Sequence, residues 1–299
     1  MSPLLVVRLL TFNHANYIHQ CIDNILNQKT TFSFKVIIGE DCSTDNTAEI
    51  CKEYEKKYPD LIQLYCNEFN NLQLNSSRNW EFCRNSNAKY IALLEGDDYW
   101  TDPYKLQKQV DFLEANPEYA ICFHRAKLKV ENGVQINDQF VGPEEEKDLF
   151  IEDFILSNPV PTVSAIFKNV LHENFEDWES KMPFGDLLIY TKILKITNLK
   201  AKYIPDVMGV YRIHDGGIHS GSFANNKLKT FEKHLQHVKL IKEHLLKKSY
   251  RKQTTHAIIY FIRKCIKYTP KKNLLKQFKL RFMLAFYKIK FYILIHDKS

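Results

Sequence analysis

The chain has 299 residues, of which 44% are hydrophobic and 26% charged, with nine Gly and ten Pro. This composition excludes collagen-like and low-complexity proteins and predicts a globular chain, either one large domain or a domain with an appendage. The formal net charge of +7 is unevenly distributed, because residues 221–299 carry 20 Lys and Arg against three acids, whereas residues 1–220 carry 22 against 32. The sequence therefore joins an acidic body to a basic tail.

Cysteines and apolar runs narrow the class of protein further. The seven cysteines form an odd set without a CxxC pair, which favours reduced thiols in a cytoplasmic protein over a disulfide framework or a zinc site. The apolar N-terminal stretch is short and contains Arg8, so we interpret it as a buried strand rather than a signal peptide. No run of about 18 uncharged apolar residues occurs, and we predict no transmembrane helix.

Taken in chain order, the first 115 residues alternate short apolar runs with longer amphipathic segments. The apolar runs predict strands buried on both faces, at residues 4–10, 34–41, 61–66 and 89–95. The amphipathic segments predict helices, at about residues 15–28, 45–57, 76–86 and 103–115. This alternation predicts an α/β fold with a mostly parallel central sheet flanked by helices.

Polar clusters follow three of the predicted strands. "TFNH" follows the first, "EDCSTDN" the second and "EGDD" the fourth. Because the carboxyl ends of parallel strands converge on one crevice, these clusters are expected to form one ligand site.

The cluster "EGDD" holds three carboxylates, Glu95, Asp97 and Asp98, directly after a buried strand. Helix capping accounts for Asp102, which precedes Pro103, but not for three more acids upstream. Close carboxylates raise each other's pKa unless a cation neutralises them, and a hard divalent ion bound by oxygen is the usual solution. Mg²⁺ typically also takes water and phosphate oxygens, so the set predicts a metal and diphosphate site.

The other two clusters are less specific on their own. Asp41 could accept hydrogen bonds from the base or ribose of a nucleotide, and its position beside the acidic cluster favours that role. Phe12, Asn13 and His14 are residue types that are more often structural than functional at such a position. Arg78, placed where a helix is expected to open, is unfavourable to the helix dipole unless an anion lies near.

Beyond residue 118 the pattern changes to mixed strands and loops, and a helix is predicted at about 185–197. Asp186 opens that helix, where it either serves the helix dipole or acts as a general base. The loop "YRIHDGG" brings Arg212 and His214 together as a cation for phosphate and an imidazole for metal, unless it is only a surface loop.

Six motifs together resemble family 2 glycosyltransferases of the GT-A fold. They are "TFNH", "VIIGEDCSTDNT", "RN" near residue 78, "LLEGDDYWTDP", "GD" at 185–186 and "YRIHDGG". Each motif is weak alone, but their order and separations match that family over about residues 1–220. The resemblance implies a GT-A catalytic domain at 1–220 and leaves residues 221–299 as a basic helical C-terminal region.

The resemblance also implies a role for each matching residue. The acidic cluster matches the family's D-x-D motif, with Asp98 as direct metal ligand, Asp97 on ribose or metal, and Glu95 where Asp is more usual. Asp41 matches the acid that hydrogen-bonds uracil, Phe12 the aromatic against the base, and Arg78 a further base contact. Asp186 matches the catalytic base, and His214 resembles the late-sequence histidine that approaches the metal or the diphosphate. Asn13 and Arg212 are also assigned to nucleotide-sugar binding.

The activity implied is inverting transfer of a sugar, hexosyl or N-acetylhexosaminyl, from a nucleotide sugar such as a UDP-sugar to an acceptor hydroxyl. It implies Mn²⁺ or Mg²⁺ as cofactor and a saccharide or lipid-linked saccharide as acceptor, in bacterial surface polysaccharide or glycoconjugate synthesis. A sugar nucleotidyltransferase is a rival interpretation, but it would carry a Gly-rich loop after the first strand, and "TFNHANYIHQ" has no Gly. A non-catalytic nucleotide-sugar or membrane-binding protein is the second rival.

The basic tail is compatible with two interpretations. It could form solvated helices packed on the catalytic domain, or a basic, aromatic-rich helix at an anionic membrane surface. Its last segment, "LLKQFKLRFMLAFYKIKFYILIHDKS", is too apolar for an ordinary free surface. We therefore expect peripheral contact with the inner face of the cytoplasmic membrane as one option. Nucleic acid is not expected as a partner, because no nucleic-acid module accompanies the charge.

Overall fold

The structure is a computed structural model that describes residues 2–131, 139–142, 144–173, 175–214, 216–217, 226–246 and 249–296, with side chains left out at 72–77. Ten strands form one sheet. In chain order they are β1 (Leu5–Thr11), β2 (Phe34–Glu40), β3 (Ile62–Cys66), β4 (Tyr90–Glu95), β5 (Tyr99–Trp100), β6 (Tyr119–Val130), β7 (Phe140–Val141), β8 (Lys147–Leu149), β9 (Ile166–Lys168) and β10 (Lys200–Ile213).

One half of the sheet is parallel and confirms the predicted strand and helix alternation. Its order is β3-β2-β1-β4, and all three neighbouring pairs are parallel. The intervening helices are α1 (Ile18–Leu26), α2 (Thr47–Lys57), α3 (Leu72–Asn85) and α4 (Lys105–Ala115). Side chains on both faces of β1 are buried, including Val6, Val7 and Leu9, because helices cover both sides of a parallel sheet.

The other half of the sheet is mixed. The antiparallel strand β9 joins β4 to β6, and β10 then runs parallel to β6. Beyond it, β5 and β8 pair antiparallel with β10, and β7 pairs antiparallel with β6. The long strand β10 thus belongs to the same sheet as β4, and the segment after Ile213 begins at its end.

The chain divides into two compact units that interleave in sequence. The first comprises residues 1–150, 159–175 and 196–214, and the second comprises 151–158, 176–195 and 215–299. The expected division at residue 220 differs from this one and itself lies outside the described residues. The physical reason is that segments inside the expected catalytic domain, which contain α5 (Ile151–Leu156) and α6 (Gly185–Thr197), pack with the C-terminal helices. The ring of Phe184, directly before α6, contacts the rings of His234 and His237.

The second unit is helical in its described residues. After α6 it contains α7 (Lys227–Leu240), a π-helical turn (Ile241–Leu245), α8 (Arg251–Tyr268) and α9 (Leu274–His296). Ring contacts tie α7 to α8, with the His234 and Phe261 centroids 5.1 Å apart. In the described part of the chain, none of the helices combines the length and the apolar character that crossing a membrane requires. All seven cysteines lie in described segments and are free, five of them buried.

Candidate active site

The candidate active site lies at the edge of the sheet where β1 and β4 end. These strands are parallel neighbours, and Leu10 near the end of β1 is paired with Glu95 at the end of β4. The turn after β4 is anchored to β1, because the Gly96 amide donates to the Leu10 carbonyl at 2.8 Å. Residues shortly after each strand therefore meet, as the convergence of carboxyl ends predicts.

Three side chains from different parts of the chain converge there: His14 after β1, Asp97 after β4 and His214 after β10. One potential ligand atom from each lies within 4.8 Å of the others. His214 Nε2 is 3.0 Å from Asp97 Oδ2, and His14 Nε2 is 3.8 Å from the same oxygen. Two imidazoles and a carboxylate thus face one point, a donor set suited to a divalent metal ion.

The electrostatics of the two neighbouring aspartates differ. Burial raises the pKa of Asp97, but the hydrogen bond from His214 and the charge of His14 outweigh it and hold the pKa below its ordinary value. Asp98 is only 1% exposed, and burial together with the charges of Asp97 and Glu95 raises its pKa well above the ordinary range. The positive groups of the protein therefore stabilise the ionised form of Asp97 but do not suffice to stabilise that of Asp98 as well.

The two aspartates also leave buried oxygens without partners. Within the described part of the chain, neither Asp97 Oδ1 nor Asp98 Oδ2 has a hydrogen-bond partner. Buried carboxylate oxygens without partners are costly, and a bound cation is a common way to satisfy them. The residues present therefore fit a divalent metal.

The group of potential ligand atoms that the structure brings together differs from the predicted ligand set. It contains His14, Asp97 and His214 but neither Asp98 nor Glu95, and metal binding by Asp97 and His214 stays a prediction. Asp98 is held differently, because its Oδ1 accepts the backbone amide of Arg212 at 2.8 Å. The assignment of Asp98 and Glu95 as metal ligands stays a prediction.

His14 is oriented by Thr11 and by the glycine in "EGDD". Thr11 Oγ1 lies 3.2 Å from His14 Nδ1, which leaves the opposite ring nitrogen, Nε2, on the side of Asp97. Burial lowers the pKa of His14 and outweighs the attraction of the Asp97 carboxylate. A Cβ on Gly96 would lie 2.6 Å from Thr11 Oγ1 and 2.8 Å from His14 Nδ1, so only glycine allows β4 to turn this close to the pair.

We expect Gly96→Ala to weaken metal binding by about 10- to 100-fold, the usual effect of disturbing a group that orients a metal ligand. The added methyl must displace Thr11 or His14. Isothermal titration with Mn²⁺ measures the effect. Gly185→Ala is the matched control, because a Cβ at Gly185 would meet nothing within 4 Å. Equal Mn²⁺ affinity in the two variants would show that the position of His14 is unimportant.

The Arg212 side chain joins three segments of the protein through hydrogen bonds. Its Nε donates to Glu131 Oε1 at 3.0 Å, and its two terminal nitrogens donate to the Asp97 carbonyl and to Gln20. Its guanidinium carbon lies 4.9 Å from the Tyr17 ring centroid and 4.5 Å from that of Tyr99. Arg212 is predicted from the sequence to bind phosphate. In the structure all three of its guanidinium nitrogens are hydrogen-bonded within the protein, and the phosphate role stays a prediction.

Asp41 is buried, and its carboxylate links the end of β2 to the loop that follows β3. Its carboxylate accepts the Asn67 and Asn70 amide groups, each at 3.1 Å, and the Asn71 backbone amide at 3.0 Å. Asp41 thus fixes the loop between β3 and α3 against the end of β2. A carboxylate offers about four acceptor sites, so three of them are used by the protein, and a bond to a uracil stays a prediction.

Asn13 links the loops that follow β1 and β2. It adopts a left-handed backbone with φ of 55°, its side-chain oxygen accepts the Thr44 amide at 2.8 Å, and its own amide donates to Ser43 Oγ at 2.9 Å. Asn tolerates this conformation better than most residues. Asn13 therefore has a structural role, and its predicted contact with the nucleotide stays untested.

Phe12 and Arg78 belong to the same unit but not to the metal cluster. Phe12 is partly buried directly after β1 ends. Arg78 is exposed and lies inside α3, which begins at Leu72, six residues earlier. The expectation that Arg78 opens the helix is therefore wrong, and so is the dipole argument based on it. The predicted contacts of Phe12 and Arg78 with the nucleotide base stay predictions.

Asp186 lies in the second unit and is described within it. It occupies the first turn of α6, is partly buried, and accepts a hydrogen bond from the Asn158 side chain. An acid in this position is favoured by the helix dipole, so both roles considered from the sequence remain compatible with its surroundings.

His14 and Tyr17 are two residues of the site that the sequence pattern does not identify. A lone histidine such as His14 is more often structural than functional. Its position three residues beyond the end of a parallel strand, beside the acidic cluster after a neighbouring strand, was the signal that could have identified it. The Tyr17 ring lies 4.8 Å from that of His214.

Comparison of the sequence with known proteins identifies similar chains. The sequence model described as Glycosyl transferase family 2 matches residues 7–175. The uncharacterized protein Rv1520 of Mycobacterium tuberculosis is 30% identical over 219 residues, which are 73% of this chain and 61% of that protein. The Bacillus subtilis protein TuaG, named as a teichuronic acid biosynthesis glycosyltransferase, is 28% identical over 48% of this chain and 54% of its own. The chain thus spans about three-fifths of the Rv1520 length.

Two solved structures share the fold. Staphylococcus aureus TarS 1–349 in complex with UDP-GlcNAc aligns with a TM-score of 0.56 at 17% identity, covering 96% of this chain and 87% of that one. The mannosyltransferase PcManGT of Pyrobaculum calidifontis, in complex with GDP-Man and Mn²⁺, aligns with a TM-score of 0.56 at 16% identity, covering 100% and 89%. At these identities the likeness supports the fold alone.

Proposed function

The chain belongs to glycosyl transferase family 2, and from that premise we propose an inverting, metal-dependent enzyme that moves a sugar from a nucleotide sugar to an acceptor hydroxyl. The α/β fold with its mostly parallel central sheet is the GT-A fold predicted from the sequence. The single observation that carries the proposal is the convergence of His14, Asp97 and His214 at the carboxyl edge of β1 and β4.

We assign the cofactor to these three side chains. Two imidazoles beside one carboxylate suit Mn²⁺ better than Mg²⁺, which prefers oxygen ligands alone. When bound, the ion would stabilise the negative charge on the leaving nucleoside diphosphate. Thr11 holds the His14 ring, the Arg212 backbone amide holds Asp98, and the Arg212 side chain bonds the Asp97 carbonyl. These contacts orient the side chains of the site.

Asp186 is the proposed catalytic base. It would take the proton of the acceptor hydroxyl while that oxygen attacks the anomeric carbon and the bond to the diphosphate breaks on the opposite face. One displacement of this kind inverts the anomeric configuration and needs no covalent intermediate. Asn158 donates to Asp186 Oδ2, which orients the carboxylate.

The donor is proposed to be a UDP-sugar, with Asp41, Phe12 and Arg78 in the base region and Asn13 holding the adjoining loops. TarS is described in complex with UDP-GlcNAc and PcManGT with GDP-Man, which supports nucleotide sugars as a class and leaves uridine and guanosine to be tested. Either a hexosyl or an N-acetylhexosaminyl group is compatible with this assignment.

The acceptor is proposed to be a saccharide, free or linked to a lipid, in bacterial surface polysaccharide or glycoconjugate synthesis. The name of TuaG places that relative in teichuronic acid biosynthesis. The basic tail would suit a lipid-linked acceptor at a membrane surface.

A panel of UDP- and GDP-sugars, incubated with the protein and Mn²⁺, tests the function through release of UDP or GDP. We expect release with one donor class and its loss on chelation, since the diphosphate is a poor leaving group without the cation. A parallel reaction of UTP with sugar 1-phosphate tests the nucleotidyltransferase rival. Pyrophosphate production there, or donor binding with no release even after acceptor oligosaccharides are added, would refute the proposal.

A further inference from the structure

A cavity of about 490 Å³ opens among the helices of the second unit, and its walls are strongly basic. It is bounded by α7, the π-helical turn, α8 and α9. Four cations and one acid are among its lining side chains: Lys239, Lys242, Arg251, Lys290 and Glu243. Unlike the metal cluster, this cavity has no role in the proposed sugar transfer.

The four cations of the cavity share a single lining acid, Glu243. In the described part of the chain, none of the four forms an ion pair. Lys242 is half-buried and donates to Thr255 Oγ1 at 2.7 Å. Burial and the nearby charges of Lys290 and Arg251 lower its pKa to about 8. Like charges held together in a partly desolvated cavity indicate a site for an anion, and phosphate esters are common ligands of such clusters.

The helix α9, which supplies Lys290, has a second apolar face that the protein leaves exposed. One face, which includes Leu280 and Phe291, turns inward; Leu280 is buried and the Phe291 ring lies 6.0 Å from that of His256 on α8. The opposite face carries six large apolar side chains at helical spacing, each at least 55% exposed: Leu275, Phe278, Phe282, Phe286, Ile289 and Ile293. At 3.6 residues per turn these six span an arc of roughly 80°, and the exposed side chains of Leu274 and Tyr292 widen it to roughly 120°.

Cations border this exposed face on both sides. Lys279 and Lys290 lie along one edge of the arc, and Arg281 and Lys288 lie along the other. No acid occurs between Leu274 and His296. Lys and Arg at both edges of an apolar face can extend toward anionic headgroups while the apolar side chains enter the interface. Pairing of this face with a second copy would bring like charges together, which disfavours self-association.

We propose that the second unit binds the phosphate headgroup of an anionic membrane lipid in this cavity, with the exposed face of α9 at the acyl boundary. Lys290 connects the two features, since it lines the cavity and borders the face. The inference goes beyond sugar transfer, and its test does not depend on that activity.

Co-sedimentation of the full chain with vesicles tests the proposal. We expect at least about tenfold stronger partitioning into phosphatidylglycerol-containing vesicles than into pure phosphatidylcholine, and a marked loss when ionic strength rises from about 0.1 to 1 M. Lys242→Gln with Lys290→Gln should lower partitioning by about tenfold. The matched control, Lys267→Gln with Lys271→Gln, removes two exposed charges away from the cavity and should change it by less than about threefold.

Phe282→Gln with Phe286→Gln tests the apolar face and should lower partitioning by at least about tenfold, because two aromatic groups leave the interface. Ile196→Gln, an exposed apolar side chain elsewhere, should have no effect. Equal loss in the two lysine double variants, equal binding to neutral vesicles, or no effect of the Phe variants would each overturn the proposal. So would binding of glycerol phosphate in solution without vesicle partitioning, or a dimer that the Phe variants abolish.

Discussion

Replacing Asp97 by Asn is expected to lower metal-dependent sugar transfer by at least about 1,000-fold, the scale of several kcal/mol of charge stabilisation. Asp97 is the one carboxylate in the group with His14 and His214. Asn keeps its shape but removes the charge that attracts the cation. Mn²⁺ affinity should fall together with donor turnover, as measured by titration calorimetry and by nucleoside diphosphate release.

Two companion variants make this test decisive. Asp98→Asn separates the geometry from the sequence prediction, because Asp98 was the expected direct ligand. If Asp98→Asn loses Mn²⁺ binding and Asp97→Asn keeps it, the proposed ligand group is wrong. Asp102→Asn is the matched control, since Asp102 accepts the Tyr104 amide and the Lys108 ammonium, both at 2.8 Å. It should cost about 1 kcal/mol of stability at most and leave transfer unchanged.

Replacing Asp186 by Asn is expected to reduce transfer by about 100- to 10,000-fold while leaving donor and Mn²⁺ binding intact, because only proton removal from the acceptor is lost. Single-turnover rates with bound donor measure the chemical step directly. Product anomeric configuration, determined with the unmodified chain, should be opposite to that of the donor sugar.

The alternative for Asp186 is a purely structural role at the start of α6. That role predicts a lower melting temperature for Asp186→Asn with a transfer rate near that of the unmodified protein. Asp177→Asn serves as control, because Asp177 is an exposed acid in the same unit. Asn158→Ala should lower the rate less than Asp186→Asn does, since it removes only the group that orients the carboxylate.

Much of the parallel half of the sheet could be predicted from local pattern. The runs at 4–10, 34–41, 61–66 and 89–95 became β1 to β4 with boundaries shifted by one residue at most. Apolar runs of this length bury both faces wherever helices cover a sheet, so their pattern is read without long-range information. Helix starts were less accurate, and α3 begins four residues before the predicted segment.

The site was predicted in location but not in composition. Asp97 and His214 are predicted metal ligands, and the structure brings their side chains to within 3.0 Å of each other, while their binding of a metal stays a prediction. His14 could not be ranked above an ordinary structural histidine, since its distance to Asp97 depends on the parallel pairing of β1 with β4. Arg212 and Asp41 have the residue types that bind phosphate and base, but their partners inside the protein come from segments distant in sequence, such as Gln20 and Asn67.

The basic tail was likewise predicted only in part. Sequence alone established its charge and aromatic content, but the cations of the last helix did not fall on a single face. The packing of α9 on α8 resolves this, because it assigns one apolar face to the interior and leaves the other exposed between two rows of cations.

By itself the sequence determined the family, the parallel strands and the sheet edge where the polar clusters lie, because hydrophobic periodicity and short motifs are local properties. Only the tertiary structure decided which side chains come together at the candidate site, which charged groups already have partners within the protein and which helical face stays exposed. Those outcomes depend on strand order and helix packing between residues that are far apart in the chain, and no local pattern specifies them.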